Sequence, residues 1–328
     1  MRSADQNSEG GSRSKYGKSR AFVSKYGIVI AFVIFCLILS ISTKGRFLVI
    51  DNVLNVLRQV SINGVLAIGM TFVILTGGID LSVGAVVALT GFVCANVYKA
   101  GWGLLAVFVL TILCGGLIGL VNGYFVANHS LAPFIVTLGV QTMARGFTYI
   151  YSDGKPVSKF EGNFVEIGKS SFLGVPVLVW ILVITFLVSC FILYKTKMGR
   201  YVFAVGGNLN AALYSGVKTK RVLRFAYVYC GLMSGLAAVM LTSRVSAALP
   251  QAGQAYESDA IAAVVIGGTS LSGGKGRLWG TIVGVLLIGV ITNGLDLLSV
   301  SSYIQQVVKG AIIIGAILFD RFTNHANG

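Results

Sequence analysis

The sequence predicts an all-α polytopic membrane protein with about ten transmembrane helices, some of them broken or re-entrant. Of its 328 residues, 55% are hydrophobic and only 11% are charged, whereas soluble domains carry about 25% charged residues. Apolar runs of roughly 20 residues, the length that crosses a bilayer, recur along the chain. One such run breaks at Thr76, Gly77 and Gly78 and resumes after a lone carboxylate, Asp80.

The chain divides into a tail, a membrane domain and a second tail. Residues 1–24 are polar, basic and rich in Gly and Ser, so we expect a disordered cytoplasmic segment. We expect the membrane domain over 25–320 and a short cytoplasmic tail over 321–328. The run that starts at 259 is short for a span, and we expect it to be broken or partly re-entrant. The predicted spans have approximate bounds of 26–43, 55–76, 82–98, 103–127, 131–151, 175–194, 222–245, 259–271, 278–295 and 303–319.

Charge predicts the orientation of these spans. Ten spans that start inside the cell place the loop 195–224 in the cytoplasm, the loop 152–174 outside, and both termini in the cytoplasm. The first loop has seven basic residues and no acidic one, whereas the second mixes both signs. Because cytoplasmic loops carry the excess of Lys and Arg, span counting and charge agree. The net charge of +15 has the same explanation, so we expect lipid, and no nucleic acid, as a partner.

The sequence offers neither a metal site nor a nucleotide site. The five Cys residues lie inside apolar runs without C-x-x-C spacing, and the two His residues form no cluster, so we expect no metal and no cofactor. The Gly-rich run 267–277 departs from the phosphate-binding pattern G-x-x-x-x-G-K-[ST]. Thr269 stands at the first Gly position and Gly276 at the hydroxyl position. No nucleophile, base and orienting group occur together, and we expect no enzyme activity.

The break after the second span is the first candidate functional segment. Exposed backbone survives in a membrane only where protein or a water-filled cavity covers it, and transporters place substrate sites at such breaks. An ordinary tight turn is the alternative. Ionisable residues within spans are further candidates; Arg145, at mid-span, either pairs internally or lines the path, and we expect Asp296 to pair with Lys309. The residues expected along a translocation path or at a gate are Thr76, Gly77, Gly78, Asp80, Ser82, Arg145 and Asp259.

The basic loop is the second candidate segment, because it contains an apolar, Ala-rich piece after Gly206 and Gly207. Asn208 is a suitable N-cap for a short helix over about Leu209 to Tyr214, which is too short to be stable alone. A short helix on the cytoplasmic face suits docking into a groove of a partner protein. A loop that rests on the bilayer is the alternative.

Three long motifs resemble those of the permease subunits of sugar-importing ABC transporters, and the ribose-type members above all. They are the break 71–84, the loop 198–216 and the run 258–277, and the similarity covers about 47–320. The resemblance implies a multi-pass permease of the bacterial inner membrane that imports a monosaccharide, ribose above all, and pairs with a second copy of itself. It also implies a separate ATP-binding subunit and a periplasmic or lipid-anchored sugar-binding protein.

The resemblance assigns a coupling role to the basic loop, through which the ATPase would push and rock the helices. Spans two to five and spans seven to ten flank this loop, and five spans per half would make the two halves an inverted repeat. The Gly-rich runs 76–84 and 267–274 look alike, although they do not occupy equivalent places in the span count. A facilitator or channel that works without an ATPase is the alternative function. The residues that the resemblance assigns to ATPase coupling are Gly199, Arg200, Gly206, Gly207, Asn208, Ala211 and Ala212.

Overall fold

Apolar runs of this chain form α-helices, because a helix satisfies its backbone N–H and C=O groups internally, as lipid requires. The computed structural model describes residue 30 and residues 32–325, so the predicted tail 1–24 lies outside the described residues. The described helices are α1 (Phe32–Ser42), a 3-10 helix (Arg46–Leu48), α2 (Ile50–Leu75), α3 (Val83–Lys99), α4 (Leu104–His129), α5 (Pro133–Ser152), α6 (Asn163–Lys169), α7 (Val177–Lys195), α8 (Lys197–Gly207), α9 (Leu209–Tyr214), α10 (Thr219–Val245), α11 (Tyr256–Ile266), α12 (Leu278–Leu297) and α13 (Ser302–His325).

Two short antiparallel strand pairs accompany the described helices. β1 (Val157–Ser158) pairs with β4 (Ala247–Ala248), and β2 (Ser171–Phe172) pairs with β3 (Val175–Pro176). The first pair joins the segment between α5 and α6 to the chain that follows α10. It therefore fixes where the linker from α10 to α11 begins.

Each predicted span falls on a described helix, and the prediction of an all-α polytopic membrane protein is confirmed. Within the described part of the chain, five helices are long and apolar enough to cross a membrane, namely α2, α4, α7, α10 and α12, and α1 and α3 are shorter apolar helices. The segment predicted to be short is α11, which has 11 residues. The basic loop is mostly helical, because α8, α9 and the first turn of α10 fall within it.

The core lies around α2 and α10, which pack against each other, and α10 also packs against α3. α10 also packs along α4, where glycines from the two helices face one another. A Cβ at Gly115 would lie 2.9 Å from the backbone N of Gly235, and one at Gly119 would lie 3.1 Å from the Cα of Gly231. These glycines therefore permit backbone contact between the helices, as small residues commonly do where membrane helices pack.

The helix bundle has two ends, which we name by what lies there. The junction end holds the last residues of α2 and α11, the first residues of α12, and the helices α8 and α9. The opposite end holds α6 and the strand pairs, where the Arg58 side chain donates to the carbonyl of Lys169 at 3.3 Å. Both glycine-rich breaks and the basic loop lie at the junction end.

Candidate functional site at a three-way backbone junction

The break after α2 begins with a regular helix cap. Gly77 has φ +81°, and its N–H donates to the carbonyl of Ile74 at 2.9 Å, while Gly78 N–H donates to Val73 at 3.1 Å. This pair of bonds is the Schellman motif, in which a residue of positive φ lets the chain leave the helix. The hydroxyl of Thr76 also donates to the Val73 carbonyl, at 2.7 Å. The cap leaves the carbonyl of the last helical residue without a partner in its own helix.

The break after α11 begins in the same way. Gly268 has φ +86°, and its N–H donates to Val265 at 2.9 Å, while Thr269 N–H donates to Val264 at 3.2 Å. The two Gly-rich runs that look alike in sequence therefore form the same cap. They lie side by side, because α2 and α11 pack together and end at the same end of the bundle.

The two breaks and the end of α8 meet backbone to backbone. Gly274 N–H donates to the free carbonyl of Leu75 at 3.0 Å. Gly206 lies against this bond, because a Cβ there would touch the Leu75 carbonyl oxygen and lie 2.5 Å from the Gly274 nitrogen. A Cβ at Gly273 would lie 2.8 Å from the nitrogen of Gly77 and 3.0 Å from the Gly206 oxygen. We call these five residues the glycine junction.

The helices α8 and α9 connect the glycine junction to the surface. The Asn208 side chain accepts from the N–H of Ala211 at 2.9 Å, so the predicted N-cap and the predicted helix over Leu209–Tyr214 are confirmed. Leu209, Leu213 and Tyr214 are 48%, 54% and 89% exposed. An exposed apolar ridge on a short capped helix is suited to burial against a partner.

The residues expected to couple this chain to an ATPase fall on both sides of α8 and α9. Gly199 and Ala212 are buried, Gly206 is half-buried, and the others are exposed. The segment thus presents one face to the bundle and the other to the surface. The exposed members are Arg200, Gly207, Asn208 and Ala211.

Asp80 is a buried carboxylate that fastens the first break to α3 and α4. It is 2% exposed, and its Oδ1 accepts from the backbone N of Ser82 at 2.9 Å and from its hydroxyl at 2.6 Å. Asn122 of α4 donates to the Ser82 hydroxyl at 2.9 Å and lies 3.4 Å from the carboxylate. Among the described residues, no cation lies within 4 Å of this carboxylate. Hydrogen bonds therefore hold it in place.

Arg145 holds a backbone segment instead of a carboxylate. Its Nη1 donates to the carbonyl of Pro250 at 2.7 Å and to that of Ala252 at 2.9 Å. Both acceptors lie in the linker that follows β4, which we call the descending linker (249–255). Of the two roles considered for Arg145, the geometry corresponds to internal pairing.

Asp259 on α11 forms an ion pair with Lys309 on α13. The Nζ of Lys309 lies 2.8 Å from Oδ2 of Asp259, which is 7% exposed. Asp296 instead accepts from the side chain of Gln305 at 2.7 Å. The predicted pairing of Asp296 with Lys309 is wrong. Lys309 lies two turns along α13, where it meets the first turn of α11 and not the end of α12.

The descending linker runs inward along α3. Ala248, which directly precedes the linker, belongs to the same buried apolar cluster as Phe92, whereas a Cβ at Gly253 would touch the carbonyl oxygen of Gly84, at the start of α3. α11 therefore begins inside the bundle, which explains its shortness. Between the linker, α3 and α10 lies a cavity of about 310 Å³, which sequence reasoning missed because the linker has the composition of an ordinary loop. Its lining comprises Val87, Ala88, Gly91, Leu241, Thr242, Val245, Ala247, Ala248, Leu249, Gln251, Ala252, Gly253, Gln254 and Tyr256.

Spanning helices with two adjoining breaks, and the short helix α8 in backbone contact with both, are typical of membrane transport proteins. Residues 52–317 match the family described as the permease component of the branched-chain amino acid transport system. The chain belongs to this permease family. It is therefore a multi-pass permease of the bacterial inner membrane. No solved structure matches it.

Individual relatives carry sugar names. The ribose import permease protein of Bacillus subtilis is 48% identical over 301 residues, which cover 91% of this chain and 93% of the relative. That of Haemophilus influenzae is 46% identical over 297 residues, 89% of this chain and 92% of the relative. The D-allose transport system permease protein of Escherichia coli is 40% identical over 301 residues, 92% of each chain.

Proposed function

We propose that this chain is the membrane-spanning subunit of an ATP-driven ribose importer. The observation that carries the proposal is the identity of 43–48% to ribose import permeases. A D-allose permease follows at 40% and an L-arabinose permease at 37%. Importers of this kind use a separate ATP-binding subunit and a substrate-binding protein, and we assign both as partners. The permease domain spans 25–320, between two cytoplasmic tails.

The charge distribution supports a cytoplasmic location for the junction end. The loop 195–224 carries seven basic residues and no acidic one, and Lys275 and Arg277 lie on the second break at the same end. Positive charge accumulates on the cytoplasmic side of membrane proteins. With this orientation, both termini lie in the cytoplasm and the segment 152–174 faces outward.

Coupling would run from α9 through the glycine junction to the two breaks. The exposed apolar ridge of α9 would bury itself in a groove of the ATP-binding subunit. Movement of that subunit on ATP binding would press α8 against Leu75 and Gly274. Because no side chain separates these backbones, a displacement of α8 would move the end of α2 and the second break directly. The chain itself does no covalent chemistry.

The first break would form the cytoplasmic gate of the sugar path. Thr76, Gly77 and Gly78 shape the turn, and the hydrogen bonds of Asp80 and Ser82 tie it to α3 and α4. Arg145 and Asp259 stabilise the neighbouring linker and helix and do not contact the sugar in this proposal. A second copy of the chain would complete the pathway.

The external binding protein would dock at the opposite end. There Arg58, Lys169 and Arg244 surround a cavity of about 270 Å³ together with Asn55 and Gly168. Three basic residues from three helices form a surface that suits carboxylates of a partner, since opposite charges steer association and fix orientation.

Uptake by proteoliposomes tests the proposal. We expect accumulation of labelled ribose only when the chain is combined with its ATP-binding subunit, ATP and the ribose-loaded binding protein. An ATP-binding subunit with an inactivated nucleotide site is the matched control. Equal ribose uptake by the chain alone would contradict the proposal and support an ATP-independent facilitator.

A further inference from the structure

We propose that the cavity beside the descending linker is an outward-facing subsite for the sugar, with the side-chain amides of Gln251 and Gln254 as its recognition groups. The inference rests on the proposed sugar-import function and assigns residues to it. The cavity, which we call the linker cavity, was not among the path candidates that the sequence indicated. The linker cavity lies between the break after α2 and the end of the bundle that we assign to the outside.

The size and chemistry of the linker cavity fit a small uncharged polyol. Its volume of about 310 Å³ is at the lower end of ligand pockets, which measure about 300–1,000 Å³. No charged side chain lines it. Most of the wall is aliphatic, and its polar side chains are those of Thr242, Gln251, Gln254 and Tyr256.

The two glutamine amides are free to bind a ligand. Both residues are exposed, and neither side chain is hydrogen-bonded to another residue in the described part of the chain. Each amide offers a carbonyl acceptor and two N–H donors, which match hydroxyl groups that both donate and accept. A charged solute would find no counter-ion here, so the lining selects for neutral hydroxylated molecules.

The amides are carried on a segment that the fold holds in place. Arg145 binds the carbonyls on both sides of Gln251, at 2.7 and 2.9 Å. The strand pair β1–β4 fixes the start of the linker, and the contact of Gly253 with Gly84 fixes the part that leads into α11. Rigid placement of recognition groups lowers the entropic cost of binding. This also gives the half-buried Arg145 a role, as a positioning residue for the subsite.

The location connects the cavity to the proposed gate. Gly84, which contacts Gly253 of the linker, lies two residues after Ser82, whose backbone N–H donates to Asp80. A sugar that leaves the linker cavity toward the cytoplasm therefore next meets the first break. Movement of α8, transmitted to the first break through the glycine junction, would open this route.

Substitution of the two amides tests the subsite in the complete transporter. In proteoliposomes with the ATP-binding subunit and ribose-loaded binding protein, we expect Gln254→Ala and Gln251→Ala each to lower ribose uptake about two- to tenfold, the factor for one lost hydrogen bond. The ATPase rate should stay within about twofold of the unmodified protein, since neither residue lies near the coupling segment. Gln306→Ala, an exposed glutamine on α13, is the matched control and should leave uptake unchanged.

A labelling experiment provides a readout that does not depend on transport. A Gln254→Cys variant should react with a membrane-impermeant maleimide added from outside, and excess ribose-loaded binding protein with ATP should slow the reaction. If the unmodified protein imports ribose while both alanine variants import at its rate, the subsite is overturned. Failure of external labelling overturns it as well. If the unmodified protein does not import ribose with all partners present, the proposed function itself fails.

Discussion

The glycine junction predicts that a single methyl group will separate ATP hydrolysis from transport. In Gly206→Ala, the new Cβ would touch the carbonyl oxygen of Leu75 and lie 2.5 Å from the nitrogen of Gly274 and 2.9 Å from the carbonyl carbon of Leu75. Ordinary van der Waals contact begins at 3.4 Å, so α8 must withdraw from the Leu75 carbonyl by roughly 1.5 Å.

The free-energy cost of this withdrawal is moderate. Overpacking costs about 1–3 kcal/mol, and alanine regains about 1 kcal/mol of helix propensity over glycine. At the middle of this range, a net cost of about 1 kcal/mol falls on the state in which α8 contacts the breaks, and it lowers the population of that state about fivefold. The spanning helices themselves are untouched, so the protein should still fold.

The assay compares ribose uptake with ATP hydrolysis in the same proteoliposomes. We expect Gly206→Ala to lower uptake about fivefold while ATP hydrolysis continues, so that more ATP is consumed per ribose. Gly139→Ala is the control, because Gly139 also lies in a helix and a Cβ there meets no atom within 4 Å. Uptake per ATP in Gly206→Ala equal to that of the unmodified protein would show that the close contact at Gly206 does not couple ATP hydrolysis to transport.

Three further substitutions test other parts of the account. Lys309→Met should lower the free energy of unfolding in detergent by about 3–5 kcal/mol, because it leaves Asp259 buried and unpaired. The double variant Lys309→Met with Asp259→Asn should lose less stability than Lys309→Met alone. Equal losses in the two variants would contradict a direct pair. Asn208→Ala should lower the stability of α9 by about 1 kcal/mol. The measurement is amide hydrogen exchange, which should become faster at 209–214. Exchange as slow as in the unmodified protein would show that the Asn208 cap does not stabilise α9. Arg145→Gln should release the descending linker, so limited proteolysis should cut at 249–255 in this variant and not in Gln306→Ala.

Sequence reasoning predicted the helices and one local contact correctly. Long apolar runs leave a strong periodic signal, and each predicted span coincides with a helix. The cap at Asn208 was also predictable, because capping depends on residues three positions apart along the chain. Local rules of this kind need no knowledge of the tertiary arrangement.

The contacts between distant segments could not be read from the sequence. The pairing of Asp296 with Lys309 was predicted from an assumed meeting of α12 and α13 near their ends, whereas α11 starts inside the bundle and brings Asp259 to that lysine. The glycine junction is joined through backbone atoms, so no side-chain pattern indicates which glycines meet. The descending linker has the composition of a loop, and only its contact with Gly84 reveals that it lines a cavity.

The most direct test of the account measures whether movement of α8 reaches the first break. Thr76 is 8% exposed, and a Thr76→Cys variant can be followed by the rate of maleimide labelling in the assembled transporter, with and without ATP and vanadate. If α8 transmits its movement through the glycine junction, trapping the nucleotide changes this rate, and the change disappears when Gly206→Ala is added. A change of the same size in the presence of Gly206→Ala would contradict transmission through the junction.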